Sequence, residues 1–312
     1  MNLRQLQNFI HIVDTGSITR TAHNIGIAQP ALTLQIAQME DELGTQLLLR
    51  SSRGVAPTAA GLMLYRQARL VQRQMEQLPH VVRGAGTELA GEVVVGFATA
   101  LAPMFSSPLA AEVLARYPQV KVRMLEGESA LQRELVVHSR VDMAVLIDHH
   151  ASPAGLQHRP LCTLGLAMLC DGTDPRDADG APLPLAEALE RVVAMPGAAN
   201  PVRMAVEIAL RQAGLPQREV RLELNSLTAL VHAVAYGIGP VLAPRIPLAD
   251  LHAPAGLRYR PVIGLEQALQ VSLCTSKDMP TSLAAHAVQQ ALVGIVEERV
   301  RGDDWPRPAP SA

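Results

Sequence analysis

Residues 17–43 read SITRTAHNIGIAQPALTLQIAQMEDEL, and this stretch decides the organisation of the N-terminal part of the chain. Ser17 is suited to cap a helix, because its hydroxyl can accept a backbone N–H from the first turn. Ile18, Ala22 and Ile25 share one face at helical spacing. Gly26 ends that helix, since glycine takes the left-handed C′ conformation without steric cost. Gln29-Pro30 opens the next helix, with proline where its missing N–H does no harm. Leu32, Ile36, Met39 and Leu43 then form a stripe expected to be buried, while Gln29, Pro30, Thr33 and Leu34 are expected to face outward. In a helix-turn-helix those outward positions reach base edges in the major groove. Taken alone, the stretch also fits an ordinary helical hairpin.

The flanking sequence favours the DNA-binding arrangement. Leu3, Leu6, Phe9, Ile10 and Val13 line a preceding helix that can cover the pair. After it, Leu47-Leu48-Leu49 and the run Arg50-Ser51-Ser52-Arg53-Gly54-Val55 read as strand, basic turn and strand, a wing with Arg50 and Arg53 at its tip. Arginines there can reach phosphates or the negative potential of the minor groove. Thr58 is expected to cap a long helix in which Leu64, Ala68, Val71, Met75, Leu78 and Val82 follow a heptad seam. A seam with no partner in its own chain predicts two-fold pairing, which would set two recognition helices on one face of a duplex. Pro79 predicts a kink or stop near Leu78.

Composition bounds the rest. A chain of 312 residues with 48% hydrophobic content accommodates two or three domains. No apolar run reaches the roughly 20 residues of a membrane span, and MNLRQLQNF has no signal-peptide character; the expected compartment is the cytoplasm, with no membrane partner. Residues 1–90 hold eight arginines against six acidic residues, and the remainder 19 basic against 23 acidic, a mild asymmetry. Cys162, Cys170 and Cys274 lie in apolar stretches without metal-ligand spacing and read as reduced core thiols.

From residue 91 onward, strand-like and helix-like segments alternate in two rounds joined near Cys162, and the Gln270–Cys274 strand and 282–300 helix return to the first round. Such alternation predicts an α/β fold with mostly parallel sheet, in two lobes with a cleft between them. The expected divisions are a winged helix-turn-helix over 1–60, a linker helix and hinge over 58–86, and a ligand domain over 91–301. Lobe I would comprise 91–162 and 268–301, and lobe II 163–267. The 302–312 tail, with three prolines, is expected to be disordered.

Together these pieces resemble the LysR-type transcriptional regulators. The resemblance is carried by Leu3, Leu6, Phe9, Gly16-Ser17, Ala22, Ala28-Gln29-Pro30-Ala31-Leu32-Thr33, Gln35-Ile36, Leu43-Gly44, Leu47-Leu48, Arg50 and Thr58-Ala59-Ala60-Gly61. Further along, Val95-Gly96, Gly127, Asp142-Met143-Ala144 and Gly237-Ile238-Gly239 match more loosely. The N-terminal phrasing is similar to the nitrogen-assimilation-control branch. The resemblance implies a regulator with an N-terminal winged helix-turn-helix, a dimerising linker helix and an effector domain like that of periplasmic binding proteins. Its implied partners are double-stranded promoter DNA, a small-molecule effector, further copies in a homodimer or homotetramer, and RNA polymerase. Carried onto this chain, Gln29, Pro30 and Thr33 would contact the groove, Ser17 the DNA backbone, and Arg50 and Arg53 would belong to the wing. The chain departs from the family at Ala28, where serine is frequent, and at Leu34, where arginine or glutamine is frequent. An exposed Leu34 can meet a thymine methyl but cannot make a bidentate contact to guanine.

Ligands of open α/β sheets sit outside strand C-termini, beside helix N-termini that favour anions. That rule selects Thr99, Ala100, Ser129 and Asp148 in the first lobe, and Pro196, Gly197, Asn200, Arg203, Ser226 and Thr228 in the second. Arg203 would pair a carboxylate; Ser129, Asn200 and Ser226 serve equally well as simple helix caps. The expected function is regulation of transcription switched by a small anionic metabolite bound between the lobes, without enzyme activity, cofactor or metal. No G-x-S-x-G, H-E-x-x-H or Walker A pattern occurs, and His149-His150 stands without a second ligand pair. The alternative is a solute-binding protein or sensor whose ligand domain is the main function.

Overall fold

The computed structural model describes residues 1–51, 54–83, 89–148, 155–177, 180–217, 219–265, 269–277, 279, 281–302 and 305. The chain divides into two compact units, Met1–Gly91 with Val137–Arg140, and Glu92–Val136 with Val141–Ala312.

In the first unit, helices α1 (Leu3–Thr15), α2 (Ile18–Ile25) and α3 (Gln29–Leu43) precede strands β1 (Leu48–Ser51) and β2 (Gly54–Pro57) and helix α4 (Ala59–Arg83). The helix ends have local chemical causes. Asn2 and Gln5 cap α1 reciprocally, each side chain accepting the other's backbone N–H. Ser17 Oγ accepts from Arg20 N at 3.2 Å, and Gly26 closes α2 at φ 71°. Thr58 Oγ1 accepts from Gly61 N at 3.0 Å while donating to Gln46 O at 2.7 Å, tying the start of α4 to the residues before β1.

Phe9, Ile10, Ile12, Leu32, Ile36, Met39, Leu47 and Leu48 are buried together with Tyr65 and Ala68 of α4. Fully burying a side chain of this size contributes about 1.5–3 kcal/mol. Leu43 departs from the expected buried stripe and is 41% exposed, because the helix ends there at Gly44 before the stripe meets another element. Pro79 does not stop α4, which runs on to Arg83. A proline removes one hydrogen bond, here the one to the Met75 carbonyl, and Met75 lies on an exposed turn where that carbonyl can be hydrated. Along the seam Leu64 packs against the core and Ala68 is buried, whereas Val71, Met75 and Leu78 are exposed. The Val82 side chain and residues 84–88, which hold most of the expected hinge, lie outside the described residues.

The second unit follows with β3 (Ala90–Ala98), α5 (Ala102–Arg116), β4 (Gln119–Gly127), α6 (Ser129–Val137), β5 (Met143–Asp148) and β6 (Leu156–Leu164). The second round comprises β7 (Leu166–Cys170), β8 (Leu183–Pro184), α7 (Leu185–Arg191), β9 (Ala194–Met195), α8 (Pro201–Gln212), β10 (Leu222–Glu223), α9 (Leu227–Ala235), β11 (Val241–Pro244), β12 (Arg258–Arg260) and β13 (Val262–Ile263). The chain then closes with β14 (Leu269–Ser276) and α10 (Leu283–Arg301). Two five-stranded sheets result, in the orders β4-β3-β5-β14-β6 and β10-β9-β11-β7-β12.

Both sheets are mixed rather than mostly parallel. β3 pairs parallel with β5, and β9 with β10 and β11, as strand–helix–strand crossovers require. The strands at the crossing between lobes break this pattern: β14 runs antiparallel to β5 and β6, and β7 antiparallel to β11 and β12. These strands connect the lobes directly, with only Gly165 between β6 and β7, so no crossover helix sets their direction. β6 is an edge strand holding Pro160, and its register against β14 shifts at Val271/Ser272. An edge with a bulge is where a strand proline is tolerated.

Trp305 corrects the expectation of a disordered tail at that residue. It is 7% exposed, its Nε1 donates to Thr163 O at 3.1 Å, and its ring lies 6.4 Å from that of Phe105.

Candidate DNA-binding surface and effector cavity

The recognition helix α3 begins at Ala28, which offers no side-chain cap, and has Pro30 in its first turn. Gln29, Pro30, Ala31, Ala37 and Gln38 are exposed, and Leu34 is 59% exposed, far more than an apolar side chain needs for packing. Thr33 differs from its expected outward placement: it is half-buried, its hydroxyl oxygen sealed from solvent with no hydrogen-bond partner among the described residues. The cause is position, since residue 33 directly follows the buried Leu32 and borders the packed stripe. The helix sequence QPALTLQIAQMEDEL contains no arginine or lysine, so the bidentate arginine–guanine contact cannot come from it.

Three polar contacts hold this helix, none of them anticipated from sequence. Asn8 Nδ2 on α1 donates to Gln35 Oε1 at 2.7 Å. Glu40 Oε1 accepts from Leu47 N and Leu48 N at 2.8 and 3.1 Å, joining the recognition helix to the wing. Glu42 pairs with the N-terminal ammonium. Elsewhere in this unit, Asp14 accepts from Tyr65 OH at 2.6 Å and pairs with Arg69 at 2.5 Å, which ties α1 to α4. Burial raises the Tyr65 phenol, with the Asp14 hydrogen bond adding to the rise, so it stays a donor. Apart from the Glu40 contacts, seven and eight residues on, these partners lie 27 to 55 positions apart and are invisible without the fold.

In the wing, Arg50 stands in β1 opposite Val55 and is exposed, one pair back from Ser51↔Gly54 rather than at the tip. The ladder runs on to Ser51↔Gly54, which is why Arg50 stays within it. Arg53 lies outside the described residues.

In the second unit a cavity of about 60 Å³ opens between the lobes. Thr99, Ala100 and Ser129 line it from the first lobe, and Pro196, Asn200 and Asn225 from the second, over an apolar floor that includes Ile147, Leu227 and Leu242. The starts of α6, α8 and α9 meet there: Ser129 opens α6, Asn200 caps α8 through Val202 N at 3.0 Å, and Ser226 caps α9 through Ala229 N at 3.3 Å. Ser129 is buried, and its hydroxyl accepts from Ile147 N at 3.2 Å.

Of the sequence-selected residues, Thr99, Ala100, Ser129, Pro196 and Asn200 are brought together on this cavity. Gly197, Arg203, Ser226 and Thr228 are not among its lining. Arg203 Nε pairs with Glu207 at 2.8 Å along its own helix rather than lining this cavity. Gly197 is packed against Glu223 and donates its N–H to Asn225 Oδ1 at 2.8 Å. Ser226 is engaged as the α9 cap, and Thr228, the next residue but one along that helix, is exposed. The Asp148 side chain and His149-His150 lie outside the described residues. Asn225 was missed because it precedes its helix without being the cap.

A family model described as "Bacterial regulatory helix-turn-helix protein, lysR family" matches residues 3–62, and one described as "LysR substrate binding domain" matches residues 86–294. The chain is a LysR-type transcriptional regulator. It is therefore a DNA-binding regulator with an effector-binding domain, in a family of regulators rather than enzymes. This regulator is 32% identical to the nitrogen assimilation regulatory protein nac of Escherichia coli over 96% of its own length and 97% of that protein. It is 35% identical to the protein of that name from Klebsiella aerogenes, covering 95% of each. Its fold matches a full-length OxyR from Pseudomonas aeruginosa with a TM-score of 0.72 at 20% identity, covering 100% of this chain and 99% of that one. The regulator shares with these proteins the full two-part organisation, and no helix among its described residues is long and apolar enough to cross a membrane.

Proposed function

We propose that this regulator reads promoter DNA with Gln29, Pro30 and Leu34 at the exposed start of α3, supported by Ser17, Thr33 and the wing arginines Arg50 and Arg53. The supporting observation is the absence of any cationic side chain on α3 beside an exposed Leu34. Base readout then falls to the Gln29 amide, suited to adenine, and to Leu34 against a thymine methyl, while the wing arginines carry the phosphate attraction. The exposed Val71, Met75 and Leu78 on α4 support pairing with a second copy into a homodimer or homotetramer. It would act in the cytoplasm, where promoter DNA and RNA polymerase are.

The effector is a small molecule with one anionic group and an apolar body, held between the lobes. Helix starts converging on a largely apolar cavity support this reading. No Arg, Lys or His lines the cavity among the described residues, and Glu128 stands on its rim, so a second negative charge would find no partner. Binding switches transcription only through unequal affinity for two lobe arrangements, and typical couplings of about 1–3 kcal/mol suffice.

The test is fluorescence anisotropy on the regulator's own upstream intergenic DNA against scrambled duplex at two salt concentrations. Specific sites are typically held about 10³–10⁷ tighter than random sequence. Gln29→Ala with Leu34→Ala should remove most of that gap and leave the salt-sensitive background. An unchanged gap in the double variant would refute the assignment of base readout to α3.

A further inference from the structure

A second open cavity in the second unit is distinct from the interlobe cleft. It has a volume of about 470 Å³ and is lined by Leu156, Gln157, His158, Arg159, Leu273, Thr275, Lys277 and Gln289. These residues come from the start of β6, the end of β14 and the middle of α10. That volume lies within the roughly 300–1,000 Å³ typical of metabolite pockets.

The lining has one electrostatic sign. Arg159 and Lys277 are both exposed and carry no ion pair among the described residues. Among the described residues no aspartate or glutamate appears in the lining, in a chain whose acidic residues outnumber its basic ones. The amides of Gln157 and Gln289, the Thr275 hydroxyl and the His158 ring add hydrogen-bonding groups that can turn a donor toward an anion. β6 is the outer strand of its sheet, so its outward backbone N–H groups also have no ladder partner. His158 stands opposite Cys274 across the two strands, and its Nδ1 lies 3.1 Å from the Cys274 thiol, which is fully buried.

We propose that this groove is a second ligand site that binds a small organic or inorganic polyanion, a di- or tricarboxylate or a phosphate, between Arg159 and Lys277. Two cations lining one groove with neutral donors match two acidic groups on one molecule, which the interlobe cavity is not built to accept. Arginine supplies a planar fork for one carboxylate or phosphate edge, and the lysine a mobile point charge for the other. The site is independent of the effector reading given above, since it shares no lining residue with the interlobe cavity.

The experiment is isothermal titration calorimetry of the full-length protein with citrate and, separately, inorganic phosphate, at constant ionic strength against a sodium chloride blank. The expected result is saturable binding of at least one probe at one site per chain. Arg159→Gln with Lys277→Gln should weaken it at least about tenfold, the loss of two charge-assisted contacts. Ala130→Leu, which fills the interlobe cavity, should leave it unchanged; both substituted surfaces are exposed, so folding is preserved and checked by circular dichroism. A preference for citrate identifies a carboxylate source and a preference for phosphate a phosphate source. Absence of saturable heat with both probes, equal affinity in the Arg159/Lys277 variant, or loss of binding in Ala130→Leu overturns the proposal.

Discussion

Replacing Gly61 by alanine inverts the usual sign of a glycine-to-alanine change in a helix. Gly61 lies in the first turn of α4, and a Cβ built on it would stand 2.0 Å from the Leu47 carbonyl oxygen and 3.2 Å from Pro57 Cβ. Ordinary contact begins near 3.4 Å, so α4 must retreat by the difference from 2.0 Å, about 1.4 Å. That retreat breaks the Thr58 N–H bond to Leu47 O at 2.9 Å and the Thr58 hydroxyl bond to Gln46 O at 2.7 Å. Overpacking costs about 1–3 kcal/mol and two hydrogen bonds about 1 kcal/mol each, against about 1 kcal/mol gained in helix propensity. The net loss is about 2–4 kcal/mol, or roughly 30- to 1,000-fold in the opening equilibrium. Hydrogen exchange of the protected amides in α1 and α4 should accelerate by that factor, with the second unit unaffected. Slower exchange in the first unit, the result helix propensity alone predicts, would refute the reasoning.

The same steric logic couples Gly96 to Gln132: a Cβ at Gly96 would lie 2.2 Å from Gln132 Oε1, which is buried without a hydrogen-bond partner among the described residues. Gly96→Ala should therefore be disruptive alone but tolerated beside Gln132→Ala, with a coupling of about 1–3 kcal/mol in urea melts; additive effects would contradict it. Burial pushes the Cys162 thiol up to about 12. At pH 8 its thiolate fraction is then about 10⁻⁴, so iodoacetamide should label it far more slowly than an unfolded control, with labelling rising as pH approaches 12. Leu78→Asp places a charge on the exposed seam of α4 and should shift the protein toward monomer in sedimentation equilibrium; an unchanged mass would remove the seam from the interface. Trp305→Phe deletes the Nε1–H bond to Thr163 and should lower the stability of the second unit by about 1 kcal/mol, read by circular dichroism. No shift would mean that this bond contributes nothing to the burial of Trp305.

The parts legible in the sequence are those governed by local chemistry. Ser17, Gly26 and Thr58 mark their helix ends because a cap is decided within three or four residues, and Leu32, Ile36 and Met39 are buried because helical spacing puts them on one face. The family pattern and the convergence of helix starts on an interlobe cavity follow from the same local signals. What required tertiary structure were relations between distant residues. β6 escaped sequence reading because an edge strand with a proline and a bulge has no clean alternation. The pairing of Arg203 with Glu207, one turn on, showed only in the fold, and Thr33 looked exposed until its hydroxyl was seen sealed beside the core. Trp305 could not be told from its proline-rich surroundings, since only the fold brings Phe105 and Thr163 beside it. Periodicity along the chain determines which face of an element is apolar, but which side chains from remote segments meet there is decided by packing, and packing leaves no local mark in the sequence.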